Sequence, residues 1–288
     1  MIPAQFDYQA PATLEEAVSL LAGDPDGARV LAGGHSLIPA MKLRLAQPQL
    51  LVDIARIKSL AYIREEGDQI LIGATTTHYQ LESSDLLKQI CPLLPACAGN
   101  IGDVQVRNKG TIGGSLAHSD PAGDWPAAAL ALGAELALTG PNGERAVKAD
   151  SFFIDLLTTD IQPGEILREI RFKKPSGRFG HAYQKVPHPA SGYAVVGVAV
   201  HLGLNADGSC SSAGVGVTGV STKAFRAQGV ESALAGVTLD DQTIAAAAAR
   251  VCDNINATTD LYASGDYRRH LAEVHTRRAI KSALANAK

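Results

Sequence analysis

The chain has 288 residues, with 26 Lys+Arg against 29 Asp+Glu and a net charge of −3. No basic excess exists to drive binding to nucleic acid or to an anionic membrane surface. With 46% hydrophobic and 19% charged residues the composition is that of an ordinary globular protein, which excludes disorder. At about 150 residues per domain the length fits two domains, although one large domain of about 250 residues remains open. No apolar run reaches the roughly 18 residues of a membrane span. The start, Met1-Ile2-Pro3-Ala4-Gln5-Phe6, lacks a charged segment followed by an apolar one, so no signal peptide is read and the cytoplasm is the expected compartment. Gly at 28 residues against 5% aromatics raises the question of where the glycines cluster.

Residues 13–22 read as a short amphipathic helix, with Thr13 and Glu16 forming a capping box, and Asp24-Pro25-Asp26-Gly27 ends it. A strand at 29–32 runs into Gly33-Gly34, a helix follows over 37–45, and Leu50–Ile54 is a second buried strand. That order suggests a βαβ-type unit over about residues 1–55. Runs 61–64 and 69–73 flank Gly67-Asp68 as a hairpin. Helices are expected near 80–89, 92–101 and 124–133, and strands at 134–139, 145–148 and 165–172 around a Pro141-Asn142-Gly143 turn. Pro175-Ser176-Gly177 reads as a boundary. Strands near 180–186, 195–204 and 214–220 then precede helices at about 226–235, 241–252 and 266–286. This is an α+β pattern with no internal repeat.

Two glycine pairs carry the chemistry. In Ala32-Gly33-Gly34-His35-Ser36 the glycines permit positive φ and close approach of a ligand to the main chain. Unpaired N–H groups there suit a phosphate or pyrophosphate, and Ser36 adds a hydroxyl. Thr111-Ile112-Gly113-Gly114-Ser115 repeats the pattern, so two glycine turns could converge on one diphosphate. Two unrelated turns explain the same residues about equally well. Asp120 and Asp124 follow the second pair, where a carboxylate could accept from ribityl or ribose hydroxyls. Asp124 as the N-cap of the next helix is at least as good a reading. His118 with the two aspartates makes only a weak metal site. His35 and His188 read as lone structural histidines.

Cys91, Cys97, Cys210 and Cys252 include no C-x-x-C, so neither a zinc nor an iron–sulfur cage is read, and reduced structural thiols are expected. No G-x-S-x-G or H-E-x-x-H points to hydrolysis. The residues alone therefore lead to a diphosphate-bearing cofactor, with no catalytic residue and no metal site.

The stretches Ala32–Arg44 and Val104–Pro121 together resemble the FAD-binding medium subunit of molybdenum hydroxylases, a family that includes the carbon monoxide dehydrogenase medium subunit and the xanthine dehydrogenase flavin domain. The resemblance runs from Phe6-Asp7-Tyr8 to Tyr267-Arg268-Arg269-His270. It implies an FAD-binding fold of the vanillyl-alcohol-oxidase type over residues 1–177, with subdomains at about 1–55 and 56–177, and a C-terminal α+β domain over 178–288. It implies a pyrophosphate held by Ala32, Gly33, Gly34, His35, Ser36 and Leu37 together with Thr111, Gly113, Gly114 and Ser115. Asp124 would contact ribose or ribityl, Ile101 and Tyr193 would lie near the isoalloxazine ring, and Lys185 would lie at the flavin edge.

By the same resemblance the chain is an electron-transfer subunit. It would work with a molybdopterin-binding large subunit and a small subunit carrying two [2Fe-2S] clusters, as a dimer of heterotrimers, and reduce an external acceptor. Lys185-Val186-Pro187-His188-Pro189-Ala190-Ser191-Gly192-Tyr193 lacks the strongly basic stretch of carbon-monoxide-oxidising relatives. That favours an aldehyde or N-heterocycle as the complex's substrate over carbon monoxide. Ser115 stands where many relatives have Asn. A stand-alone flavin oxidoreductase of the same fold and a non-catalytic assembly module are the alternatives.

Overall fold

The computed structural model describes residues 1–288. Near the N-terminus Asp7–Gln9, Leu50–Asp53 and Ala28–Leu31 form a three-stranded parallel sheet in that order. Helix Leu14–Gly23 packs on it, and both hydrogen bonds of the Thr13–Glu16 capping box are present. Ala17, Val18 and Leu21 on one helix face meet Ala28, Val52 and Ile54 in a small core. This is the expected β–α–β order, with the following helix restricted to Leu37–Lys42. Arg44, at φ 59°, cannot continue it.

A five-stranded antiparallel sheet follows, in the order Ile63–Glu66, Gln69–Gly73, Ile166–Lys173, Glu135–Gly140, Gly143–Lys148. The Gly67 and Gly143 hairpins lie at the expected turns, both with positive φ. Six short helices lie between Gln69–Gly73 and Glu135–Gly140 in the chain, and Trp125, Phe152, Phe172, Leu93 and Leu94 are fully enclosed in the core. The helix expected near 80–89 is two helices, His78–Ser83 and Asp85–Ile90, because Ser84 leaves the helical conformation and caps the second through Leu87 N–H. Val104–Lys109 is a helix that periodicity did not reveal; Asp103 caps it and none of its residues is fully buried.

The last third is a four-stranded antiparallel sheet of Arg178–Pro187, Ala194–Leu204, Cys210–Thr218 and Phe225–Arg226, followed by helices Gln228–Leu234, Asp241–Ala248 and Gly265–Ala285. Its two central strands are buried on both faces, which explains their run of Val and Ala. One face, with Val198, Val200, Leu202, Val215 and Val217, joins Ala272, Ala279, Ile280 and Ala283 of the long C-terminal helix in a core. The other face meets helix Asp124–Ala131 of the preceding unit. Gly214 and Gly216 allow that contact: a Cβ on either would stand 1.9 Å from the carbonyl oxygen of Ala131 or Ala127. No helix is long and apolar enough to cross a membrane.

Candidate functional site

The first glycine pair meets the segment just before the second. A Cβ on Gly33 would lie 2.2 Å from the Lys109 carbonyl oxygen and 2.8 Å from Gly110 Cα, so the loop after strand Ala28–Leu31 is pressed against the loop before helix Ile112–His118. Gly34 has φ +75°, which turns the chain sharply into Leu37–Lys42. The backbone N–H groups of Gly33, Gly34, His35 and Ser36 have no protein acceptor. Four successive free amides on a left-handed turn form a nest for an anion. The Ser36 side chain makes no cap bond to its own helix and instead meets the Tyr193 phenol.

The second pair behaves differently from the sequence expectation. Gly113 and Gly114 do not form a turn; they lie in the first turn of helix Ile112–His118, which Thr111 caps. Gly113 N–H donates to the Ala74 carbonyl at 2.9 Å, and Gly114 N–H to Thr111 Oγ1 at 3.1 Å. Their amides are thus engaged within the protein. What Gly113 provides is closeness, since a Cβ there would stand 2.5 Å from Ala74 Cβ. Gly114 is exposed and Ser115 half-exposed beside it, so this side offers a smooth wall and a hydroxyl.

Beneath the meeting point sits His78, which sequence reasoning missed. It is 4% exposed, and Trp125 Nε1–H donates to its Nδ1 at 3.0 Å, which leaves the proton of the neutral ring on Nε2. A Cβ on Gly110 would fall 2.7 Å from that Nε2, so the imidazole supports the loop on which Gly33 rests. The readable signal was Thr77-His78-Tyr79-Gln80, a capping box that starts the helix at His78.

Burial, with smaller contributions from His35 and Arg107, lowers the His78 pKa to about 4. The unfolded chain then binds a proton near pH 6.5 that the folded chain refuses until about pH 4. Stability from this group is therefore complete above the unfolded value and is lost as pH falls between the two. At about pH 5 the loss is roughly 2 kcal/mol. Urea unfolding near pH 7.5 and near pH 5 should show a drop for the wild type that His78→Gln reduces by about that amount. His181, whose pKa burial and then His201 lower to about 3, acts in the same direction and remains in the variant.

Asp124 is the first residue of its helix, and Gly123 is the N-cap. The N-cap reading of Asp124 therefore does not hold: its side chain points across to the C-terminal sheet. The Tyr183 hydroxyl donates to Asp124 Oδ1, and Lys185 Nζ donates to Oδ2 at 2.9 Å and to the Asn100 carbonyl at 2.8 Å. Asp124 is 5% exposed, and burial raises its pKa against the opposing pull of Lys185 and Tyr183. Ile101, next to Asn100, is half-buried against the large core.

Tyr193 stands 41% exposed on the hairpin after strand Arg178–Pro187. Its phenol lies beside the Ser36 hydroxyl with Asp120 and Asp124 nearby; burial first and these carboxylates second raise its pKa. The hairpin is shaped by Gly192 at φ +72°, which passes close to Gly102, and by His188 N–H donating to the Tyr193 carbonyl at 2.7 Å. Ser36, Asp124, Lys185 and Tyr193 thus come from three segments far apart in sequence, with Ser36 joined to Tyr193 through their hydroxyls and Asp124 to Lys185 by an ion pair. His118 and Asp120 are 3.9 Å apart and gather no third ligand. His35 is exposed at the nest, and His188 packs on Tyr262.

An anion nest formed by four free amides, a glycine pair at the start of the helix that follows the abutting Lys109–Gly110 segment and an exposed aromatic beside Ser36 fit the diphosphate and ring of a flavin dinucleotide. The comparisons agree. Residues 4–174 match the family described as FAD binding domain in molybdopterin dehydrogenase, and residues 181–283 the CO dehydrogenase flavoprotein C-terminal domain. The chain is 40% identical over 285 residues to the carbon monoxide dehydrogenase medium chain of Hydrogenophaga pseudoflava, covering 99% of each. It is 37% identical to the glyceraldehyde dehydrogenase medium chain of Sulfolobus acidocaldarius, covering 98% of this chain and 99% of that one. Among solved structures, that of Hydrogenophaga pseudoflava carbon monoxide dehydrogenase superposes with a TM-score of 0.96 at 41% identity, covering 99% of each chain. Near-complete coverage by both family domains and by full-length relatives shows that this chain belongs to the FAD-binding medium subunits of molybdenum hydroxylases, oxidoreductases of the carbon monoxide and xanthine dehydrogenase kind.

Proposed function

We propose that this chain receives electrons from [2Fe-2S] clusters of a small partner subunit and delivers them to an external acceptor, beside a large subunit that holds molybdopterin. A dimer of such heterotrimers is the assembly this reading implies. The observation that carries it is the nest of four free amides at Gly33–Ser36, pressed against the Lys109–Gly110 segment, in a chain that matches its family from end to end.

Each part of the chain has its share in holding the cofactor. The Gly33–Ser36 amides and the Ser36 hydroxyl bind the diphosphate, with Ala32 and Leu37 framing the turn. Thr111, Gly114 and Ser115 form the adjoining wall, where exposed Gly114 leaves room for the ligand by having no side chain and buried Gly113 seats the helix against Ala74 behind it. Ile101, Tyr193, Lys185 and Asp124 line the ring end, across the junction of the FAD-binding domain (1–177) and the C-terminal domain (178–288). Bound FAD supplies a carrier that takes electrons singly from clusters and can release two together. The four cysteines fall two to each of the two large cores and join no group of three metal-ligating side chains, which supports placing the clusters in another chain.

The substrate is set by the large subunit. Relatives of similar identity are named for carbon monoxide and for glyceraldehyde, so overall similarity does not decide it. The segment Lys185–Tyr193 without a basic cluster favours an aldehyde or N-heterocycle.

The test is anaerobic. The FAD-loaded chain is mixed with its co-expressed and chemically reduced iron–sulfur subunit, and flavin absorbance is followed. Bleaching in proportion to the clusters, reversed on adding an acceptor, is the expected result. Stable complex formation without any bleaching would refute the electron-transfer reading.

A further inference from the structure

Strand Arg178–Pro187 carries Tyr183 and Lys185 two residues apart, so both side chains stand on the face that meets helix Asp124–Ala131. Both end on one carboxylate, Tyr183 at Asp124 Oδ1 and Lys185 at Oδ2, and Lys185 also reaches the Asn100 carbonyl. The side chains of Lys185 and Asp124 are 3% and 5% exposed, and Tyr183 is 8% exposed. An ammonium has three N–H groups. Two have protein acceptors here, which leaves one donor in a fixed direction.

We propose that Tyr183 is a positioning residue of the flavin site, whose hydroxyl holds the Asp124 carboxylate and the Lys185 ammonium together as a fixed ion pair at the ring end of that site. This rests on the reading that Asp124 and Lys185 line the flavin. A buried ion pair persists only when hydrogen bonds satisfy its remaining polar atoms. Lys185 covers one carboxylate oxygen, and Tyr183 covers the other. Without the hydroxyl, Oδ1 is buried with no donor, and taking up a proton becomes the carboxyl's remaining means of satisfaction. Lys185 then loses its counterion and the field at the ring changes.

The other groups around Asp124 do not replace Tyr183. Cys97 faces the cluster from helix Leu93–Gly99, and burial pushes its thiol and the Tyr183 phenol well up, so both stay neutral. Asp120, in the preceding loop, and Tyr193, on the hairpin, are the remaining titratable neighbours, and Asp120 raises the Asp124 pKa further. Lys185 is therefore the one cation in the cluster and Tyr183 its one neutral side-chain donor to the carboxylate.

The experiment uses the full chain loaded with FAD, as wild type, Tyr183→Phe and the double variant Tyr183→Phe/Asp124→Asn. Oxidised-flavin absorbance and the FAD dissociation constant are measured from about pH 6 to about pH 9. The wild type should show no titration step. Tyr183→Phe should show a step in absorbance, with a dissociation constant that differs severalfold across it, and the double variant should lose the step. A flat profile in Tyr183→Phe, or a step that survives in the double variant, overturns the proposal. Infrared spectra of the apo-proteins cover the case in which Tyr183→Phe retains no FAD. A protonated-carboxyl band near neutral pH should appear in Tyr183→Phe, absent from the wild type and the double variant; no such band overturns the proposal. A band accompanied by a flat flavin spectrum also overturns it, by placing the triad away from the ring.

Discussion

Gly33→Val should abolish FAD retention while leaving a folded protein. The first carbon of any side chain at Gly33 falls 2.2 Å from the Lys109 carbonyl oxygen and 2.8 Å from Gly110 Cα. Both are backbone atoms, supported from below by His78 and Trp125 in the core, so neither loop can yield by a rotamer change. The two loops must part, which costs about 1–3 kcal/mol as overpacking and displaces the amides of Gly33–Ser36 from their common focus. A cradle that works by preformed direction loses most of its affinity when it opens. The dissociation constant for FAD should rise by about a hundredfold or more, equivalent to roughly 3 kcal/mol. Flavin absorbance after gel filtration and far-UV circular dichroism check the two halves of the statement. A variant that keeps stoichiometric FAD would mean that the contact with Lys109 does not define the cradle. Gly114→Ala is the milder partner experiment, since its Cβ meets only Thr111 Oγ1, at 2.8 Å.

The largest loss of stability is expected from Gly216→Val. Its Cβ would stand 1.9 Å from the Ala127 carbonyl oxygen and 3.0 Å from the Ala131 nitrogen, inside the contact between the C-terminal sheet and helix Asp124–Ala131. Every residue of that helix is buried, so it cannot move outward without opening the main core. Close-packed interiors transmit such a clash rather than absorb it. The cost should exceed about 4 kcal/mol, in the exceptional range for a single substitution. For a chain of this size that corresponds to roughly 8–15 °C in Tm. Gly23→Ala is the control, because nothing lies within 4 Å of its Cβ and its φ is not positive; it should change stability by less than about 1 kcal/mol. Differential scanning calorimetry distinguishes the two, and equal Tm values would show that the sheet and helix do not pack as closely as their glycines suggest.

These two glycines illustrate what could be read from the chain alone. Gly33 announced itself, because a glycine pair after a short strand and before a helix has few other uses, and Ala32–Arg44 carries the family resemblance. Gly216 sits in a β-branched strand where a glycine reads only as a weak point, and its reason is a helix nearly 90 residues earlier in sequence. A sequence separation of 59 and 61 residues hid the Asp124–Tyr183–Lys185 triad in the same way. The period-2 spacing of Tyr183 and Lys185 put them on one face, but nothing local said that Asp124 faced them. His78 was hidden for a related reason: a histidine after three threonines reads as surface until Trp125 is placed beside it.

The sequence by itself determined the elements with strong local signals: the Thr13 capping box, the hairpins at Gly67 and Gly143, the long terminal helix and the first glycine loop. Each depends on bonds or turns made within a few residues, so their physics is local. Tertiary structure alone decided that the second glycine pair lies inside a helix with its amides engaged, because the partners are the Ala74 carbonyl and the Thr111 hydroxyl rather than a ligand. It also decided that the initial glycine surplus has two uses. Gly34 turns the chain at positive φ beside amides that have no protein acceptor, whereas Gly33, Gly113, Gly214 and Gly216 let segments approach to backbone distance. Composition cannot separate these uses, because a missing side chain has the same local chemistry in both and only the opposing surface differs.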